Sequence, residues 1–454
     1  MKLPAYPRTK PSGVEWLGDV PEHWDAKPHK RAVNFVEGPG IMAADFTDDG
    51  IPLLRISCIG GRRATLEGCN FVSAQLATTK WAHFRVKPSD LLISGSASTG
   101  FCSEVDGATV GSIPYTGIII RPLTGKSDRD FIRWFFLSEL FLDQSALART
   151  GSTIQHFGPT HLSKMFMVLP DLCEQRAIAA FLDRETGRVD ELVAKKRELI
   201  ERLKEKRAAL ISRTVTHGLP PAAARAAGLP ENPPLKPSGV PWFDECPSHW
   251  RTKRLRHISD FVVVGVVVNP SSYVTDEGVV FLLGGDVREM RIDTTDCKRC
   301  SPESSNGPLV KSRLDAGDLV VVRVGYPGVA AVVPPELTGG NVASMMLVRK
   351  HPRFCSQWLA YAFNSQVGRD QVEIVQYGAA QKQFNISHAV DFAFPFPPLP
   401  EQAAIAGYLD QETAKLDALV GKVEAAVERL QEYRTALITA AVTGKIDVRS
   451  KIRI

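Results

Sequence analysis

The sequence predicts an α+β chain built twice on one plan. Two mixed α/β heads are each followed by a long helix, and the two helices pair as an antiparallel coiled coil with pseudo-two-fold internal symmetry. Three observations carry this. Lys10–Trp24 (KPSGVEWLGDVPEHW) matches Lys236–Trp250 (KPSGVPWFDECPSHW) at nine of fifteen positions, a shift of 226. Leu172–Thr216 matches Leu399–Thr443 at 24 of 45 positions without a gap, a shift of 227. Between these paired segments lie two stretches of roughly 145 residues that have diverged, and two copies in one order at nearly one shift mark a duplication.

The elements follow in order. Residues 1–24 read as a docking segment, 25–169 as the first head, 170–217 as a central helical spacer and 218–247 as a linker with a second docking segment. Residues 248–396 then form the second head, 397–443 a C-terminal helical spacer and 444–454 a tail. Trp16, Trp24 and Trp242 in the docking segments, and Trp250 at the start of the second head, suit packing anchors that seat each head. The heads are β-rich, with β-branched runs such as Ile118–Ile120, Val262–Val264 and Leu319–Val324 punctuated by Gly, Pro and Asp. Each also holds one amphipathic segment, around Asp130–Leu142 and Gln357–Asn364. Sparse landmarks align the heads, among them Asp90 with Asp318 and His161 with His388.

Pro170 and Pro398 precede the two helical segments, and no proline interrupts either for more than forty residues. Counted in sevens, one apolar line is Leu182, Val189, Lys196, Leu203, Leu210, with Leu192 and Leu199 as its companion. In the second copy the line is Leu409, Leu416, Val423, Leu430, Leu437, with Leu419 and Tyr433 on the companion. A 3.5-residue period over about five heptads is a coiled-coil seam, and each seam's evident partner is the other copy. At ~1.5 Å per residue each helix is on the order of 60 Å long.

Composition bounds the function classes. The 454 residues are 44% hydrophobic and 23% charged, the profile of a soluble globular chain of about three units. No apolar run is long enough for a transmembrane span, and no secretory signal is evident. The eight scattered cysteines therefore read as reduced thiols in the cytoplasm. The net charge is +5, and each head is near +2, so an anion-binding surface has to come from local placement. No Walker motif, Gly-rich cofactor loop or catalytic triad has local support, and the reading is non-catalytic. Cys297 and Cys300 have zinc-ligand spacing but lack a second pair, so no metal is expected.

The motifs resemble those of the DNA specificity subunits of type I restriction–modification systems. The similarity rests on the opening at Ser12–Trp24, the helix approaches Pro170–Asp183 and Pro397–Asp410, and the helix ending Val442–Lys445. Together these span essentially the whole chain. The resemblance implies that the heads are target recognition domains, each reading one part of a bipartite asymmetric duplex. It also implies that the helices set the gap and hold two methyltransferase (modification) subunits, joined by restriction/translocase subunits. S-adenosylmethionine, ATP and Mg would then sit on those partners. Departures are small: Pro241-Trp242-Phe243-Asp244 stands where the family usually has a Glu and a Gly, and Asp171 and Cys173 replace common prolines.

Candidate DNA contacts are residue types whose donors match phosphates and base edges. Lys27 and Lys30 follow Trp24 just as Lys253 and Arg256 follow Trp250. Arg62 and Arg63 in the first head, and Arg288, Arg291, Lys298 and Arg299 in the second, form basic clusters. Gln155, and Gln381, Lys382 and Gln383, precede each closing helix.

Overall fold

The computed structural model describes residues 4–94, 101–115, 117–148, 158–379 and 381–449. Gln155 lies outside them. The chain folds into two compact units, one of residues 1–197 and 424–454, the other of residues 198–423. Each therefore holds one head and a part of each long helix, which run Leu172–His217 and Leu399–Val442.

Each head is built around two four-stranded sheets and closed by a two-stranded one, Asp25–Pro28 with Phe166–Leu169 and Arg251–Arg254 with Ala393–Phe396. Strand order repeats between the heads. The first head's antiparallel sheet is ordered Val33–Glu37, Gly117–Pro122, Leu91–Ser94, Cys102–Glu104. The second head's is Val262–Val264, Met345–Val348, Leu319–Val322, Ala330–Val332. The other sheet is mixed: Ile113–Pro114 lies parallel to Ile51–Leu54, as Asn341–Val342 does to Val279–Leu282. The remaining strands also correspond, Asn70–Val72 with Lys298–Cys300 and Phe46–Thr47 with Val274–Thr275. Duplication thus extends through the heads, where side chains diverged but backbone order was kept.

The single amphipathic segment expected in each head is two helices, Arg129–Phe136 and Glu139–Ala148, then Ser356–Asn364 and Gln366–Val375. The break is sealed by a hydroxyl from a long helix. Thr439 Oγ1 accepts from the Glu139 amide at 3.0 Å, and Ser212 Oγ from the Gln366 amide at 2.9 Å. Each caps an otherwise orphan helix N–H.

Within each unit the long-helix segments run antiparallel. In the first, Ile178–Leu182 share a core with Leu437–Val442, and farther along Asp190 pairs with Arg434 and Val193 clusters with Val427. In the second, Arg207 pairs with Asp417, and Ile211 and Val215 share a core with Ile405 and Leu409. Of the main heptad lines, Leu182, Val189, Leu409, Leu416 and Leu437 are buried, while Leu203, Leu210, Val423 and Leu430 are half-buried.

The companion lines require correction. Leu192, Leu199, Leu419 and Tyr433 are 44–50% exposed and lie outside the interface. Its second row is one residue later: Thr186, Val193, Ile200, Arg207, Thr214, and Thr413, Val420, Val427, Arg434, Ala441. In a 4–3 repeat the second row is set by which step follows the first. Threonines and arginines on the buried row, beside leucines on the exposed one, disguise that choice.

The linker is more ordered than its composition suggests. Pro221–Ala226 is a short helix, Ala224 is buried, and Arg225 makes a bidentate contact with Glu231. The docking segments fold as antiparallel hairpins, Thr9–Pro11 with Asp19–Pro21 and Leu235–Val240 with Phe243–Pro247. Trp24 and Trp250 are fully buried, whereas Trp16 is 54% exposed and is not an anchor within this chain. Gly444, closing the second long helix at φ +71°, sits against Pro21 and Trp24 so tightly that a Cβ would fall 2.3 Å from the proline ring. Among the described residues no helix is long and apolar enough to cross a membrane.

Candidate nucleic-acid interface

The side chains that orient each head recur as the same atoms. At the start of the first long helix, Gln175 Oε1 accepts from the Asp128 amide at 2.7 Å, and its Nε2 donates to the carbonyls of Lys126 and Pro170. Gln402 does the same with the Cys355 amide at 2.9 Å and the Pro397 carbonyl. Asp183 accepts from the Trp134 indole at 3.1 Å, and Asp410 accepts from the Tyr361 hydroxyl at 2.7 Å. Gln144 closes the edge of Phe166 as Gln371 closes that of Ala393. Buried amides with their partners in place orient a scaffold strongly, and here Gln175, Gln402, Gln144 and Gln371 are buried.

Docking segments meet the helix starts through one buried acid each. Glu174 accepts from Tyr6 Oη at 2.7 Å and Trp24 Nε1 at 2.9 Å, and it contacts His23 Nε2 at 2.8 Å. Glu401 contacts His249 Nε2 at 2.9 Å, but Trp250 Nε1 is buried without a partner.

On this frame the candidate cations fall into two groups. Some are committed to carboxylates. Arg62 bridges Glu104 and Asp183, both at 3.0 Å, and Arg63 pairs with Asp106 at 3.0 Å. Lys27 lies 3.0 Å from Asp25, and together with Lys10 it holds that carboxyl below its usual range. Arg256 pairs with Asp391. Lys253 extends over the Phe396 ring at 4.1 Å; burial, with Arg251 and Arg353 nearby, lowers its pKa.

Others have no carboxylate within ion-pair distance among the described residues. Lys30 is exposed on the short turn His29–Arg31. Arg288 and Arg291 sit opposite each other on a two-stranded hairpin that turns at Met290, and both are exposed. That hairpin walls a cavity of about 510 Å³ together with Asp410 and Asp417. Lys298 and Arg299 are exposed on one strand, with Arg299 donating to the Gly278 carbonyl at 2.9 Å. Gln381 and Lys382 are exposed and Gln383 is half-buried. Arg63 and Arg291 hold corresponding places in the two heads, where the Thr65 amide donates back to the Cys58 carbonyl as that of Asp293 does to Asp286.

Sequence reasoning missed the duplicated Arg–Asp pairs across the helices. Arg207 Nε lies 3.0 Å from Asp417, and Arg434 Nε 2.8 Å from Asp190. Each arginine also reaches its own head: Arg207 contacts Glu289 at 2.9 Å, and Arg434 lies over the Trp134 ring at 5.8 Å. The signal was present as Arg and Asp at one spacing in both copies.

No protein-family model matches the chain. Curated relatives match it nearly end to end. The EcoBI specificity subunit of Escherichia coli is 21% identical over 95% of this chain and 88% of its own length. The EcoKI specificity subunit of Escherichia coli K12 is 22% identical over 94% and 90%. Among solved structures, one chain from a study of complex assembly and conformational transition of the type I R-M system superposes with a TM-score of 0.70. It is 18% identical and covers 94% of this chain and 99% of its own. The HsdS subunit of Thermoanaerobacter tengcongensis follows with a TM-score of 0.51 at 17% identity, covering 94% and 98%.

The chain is similar over nearly its whole length to type I restriction specificity subunits and shares their fold. Polar contacts that recur between the two halves join head to helix, as at Gln175 and Gln402, and also brace each head internally, as Arg121 with Asp90 and Arg349 with Asp318. Trp134 and Tyr361 meet the same aspartate in both halves, whereas Arg62 and Met290, at corresponding places, share no chemistry.

Proposed function

We propose that this chain is the non-catalytic, sequence-reading subunit of a type I restriction–modification complex. It binds duplex DNA at a bipartite asymmetric target, one part per head, and positions two methyltransferase subunits and the restriction/translocase subunits. In this reading residues 25–169 and 248–396 are the target recognition domains, and 170–217 and 397–443 are the spacers. Residues 1–24 and 218–247 dock and link them, and 444–454 form a tail. S-adenosylmethionine, ATP and Mg belong to the partners, and the complex works in the cytoplasm. Lys30, Arg288, Arg291, Lys298 and Arg299 are the phosphate- and base-facing cations, with no carboxylate to displace among the described residues. The paired Lys27, Arg62, Arg63 and Arg256, and Lys253 over its ring, serve the frame first. Gln155 keeps the role its sequence position implies.

One observation carries the reading: a duplicated hydrogen-bonded frame presents two head surfaces that differ. Such a frame suits two recognition tasks with a common mounting. Footprinting of the chain assembled with its methyltransferase subunits tests it. Two protected segments separated by an unprotected gap are expected, with affinity falling steeply with salt as counterions are released. A single protected segment, or salt-insensitive binding, overturns it.

A further inference from the structure

At one end of the second head's antiparallel sheet, two loops are joined into a small ribbon. The strand Leu319–Val322 continues into a turn closed by the Gly328 amide on the Val322 carbonyl at 2.8 Å. This places Tyr326 at the tip, 77% exposed, between Gly325 at φ +93° and Gly328 at φ +96°. A second loop folds back on itself through reciprocal bonds between Tyr377 and Gln383, both 2.9 Å. Its turn needs glycine, since a Cβ on Gly378 would lie 2.2 Å from the Gln381 carbonyl oxygen.

The two loops are then stitched together. The Gly325 amide donates to the Lys382 carbonyl at 2.9 Å and the Phe384 amide to the Arg323 carbonyl at 3.2 Å, with Val324 bridged to Gln383. Phe384 is fully buried beneath and anchors the ribbon in the core. Above it Tyr326, Tyr377, Gln381 and Lys382 are exposed, and Gln381 Nε2 reaches within 3.8 Å of the Cβ position of Gly325, beside Tyr326. The strand Val262–Val264 runs toward the same end of the sheet, where it continues into the exposed Val267 and Val268. Segments 323–328 and 376–385 contain no Asp or Glu.

We infer that this ribbon is the base-reading edge of the second head, entering the major groove with Gln381 and Tyr326 as its specificity-determining side chains. The inference rests on the DNA-binding proposal above and assigns its chemistry. A major groove about 12 Å wide admits a β-ribbon. A glutamine amide matches the paired acceptor and donor of adenine, an exposed ring supplies apolar contact to a thymine methyl, and Lys382 adds a donor for guanine. Backbone stitching holds these groups before DNA arrives, which lowers the ordering cost of binding. The acid-free segments keep like charges away from the phosphates.

The test uses the chain assembled with its methyltransferase subunits in a host whose methylation pattern is read by sequencing. Wild type defines a bipartite motif. Gln381→Ala and Tyr326→Ala should each relax or erase bases in one part of that motif only, leaving the other part and the spacing intact. On duplexes carrying the motif, affinity should fall about 10- to 100-fold, with binding to a scrambled duplex unchanged and an unaltered melting temperature. Tyr326→Phe should retain the motif. An unchanged motif in both alanine variants overturns the inference, as does an equal loss on motif and scrambled duplexes, which would mark a phosphate grip. A wild-type complex with no bipartite motif would instead sink the DNA-reading proposal itself.

Discussion

His29 and Leu255 occupy corresponding places in the two heads. Each amide donates to the strand approach that precedes its long helix, His29 to the Met165 carbonyl at 3.0 Å and Leu255 to that of Phe392 at 2.8 Å. The backbone contact is kept while the side chain has changed from an apolar residue to an imidazole wedged against Phe135, Phe136 and Phe141. The same contrast recurs at Glu174, which holds three donors, and Glu401, which holds a histidine while a tryptophan N–H beside it goes unpaired. At these two places duplication has preserved the backbone contact or the acid and changed the side chains packed or bonded around it. The two halves should thus be mechanically alike and energetically unequal.

The largest inequality is expected at the buried acids. Glu174→Ala strands the Tyr6 hydroxyl and the Trp24 indole and should cost on the order of 3–5 kcal/mol. Glu401→Ala should cost only about 2 kcal/mol. Urea unfolding of the two variants measures the difference, and equal losses would break the contrast.

His29 gives the next effect. Burial, opposed only by its hydrogen bond to the Phe166 carbonyl, pushes its pKa down to about 3. Unfolded, it titrates near 6.5, so below that pH the unfolded chain binds a proton that the native state refuses. Stability is therefore full above about pH 6.5 and falls toward pH 3, by about 1.4 kcal/mol per pH unit for this one group. His29→Leu, which installs the second head's residue, should flatten the difference in unfolding midpoint between pH 7.5 and 5. An unchanged slope would show that His29 is protonated in the native head.

Smaller effects belong to the helix pairs. A double-mutant cycle on Arg207 and Asp417 should give a coupling of about 0.5–1 kcal/mol, reduced by solvent at the exposed aspartate. The cycle on Arg434 and Asp190 should give less, because Arg434 is the more exposed arginine. Smallest of all, Lys30→Ala should lower the slope of log affinity against log salt by about 0.9 without changing the sequence preferred. Lys27→Ala, with Asp25 already neutralising it, should change the slope less.

Much of this architecture was legible because identity between the repeats is concentrated where helices and docking hairpins meet. The paired openings, the Glu-Gln at each helix start and the heptad lines through Leu182 and Leu409 all stand in the sequence. Other features were hidden for physical reasons. The second interface row carries Thr186, Arg207 and Thr413, whose polarity argues for a surface, while Leu192 and Leu419 argue the reverse from exposed positions. Sheet order in the heads is set by long-range pairing between short strands such as Ile51–Leu54 and Ile113–Pro114, which have no local signature. The candidate cations looked alike as letters. Only the fold separates Arg62, held between Glu104 and Asp183, from Lys298 or Arg288, which have no carboxylate partner among the described residues.

The claim that two different readers sit on one repeated mounting can be tested by making the readers identical. A chain in which residues 25–169 also replace residues 251–396, leaving His249 and Trp250 in place, should still assemble with its methyltransferase subunits. It should then methylate a palindromic motif whose two parts are both the first head's. Retention of the original asymmetric motif, or an assembled complex that protects DNA without any sequence preference, would contradict the account.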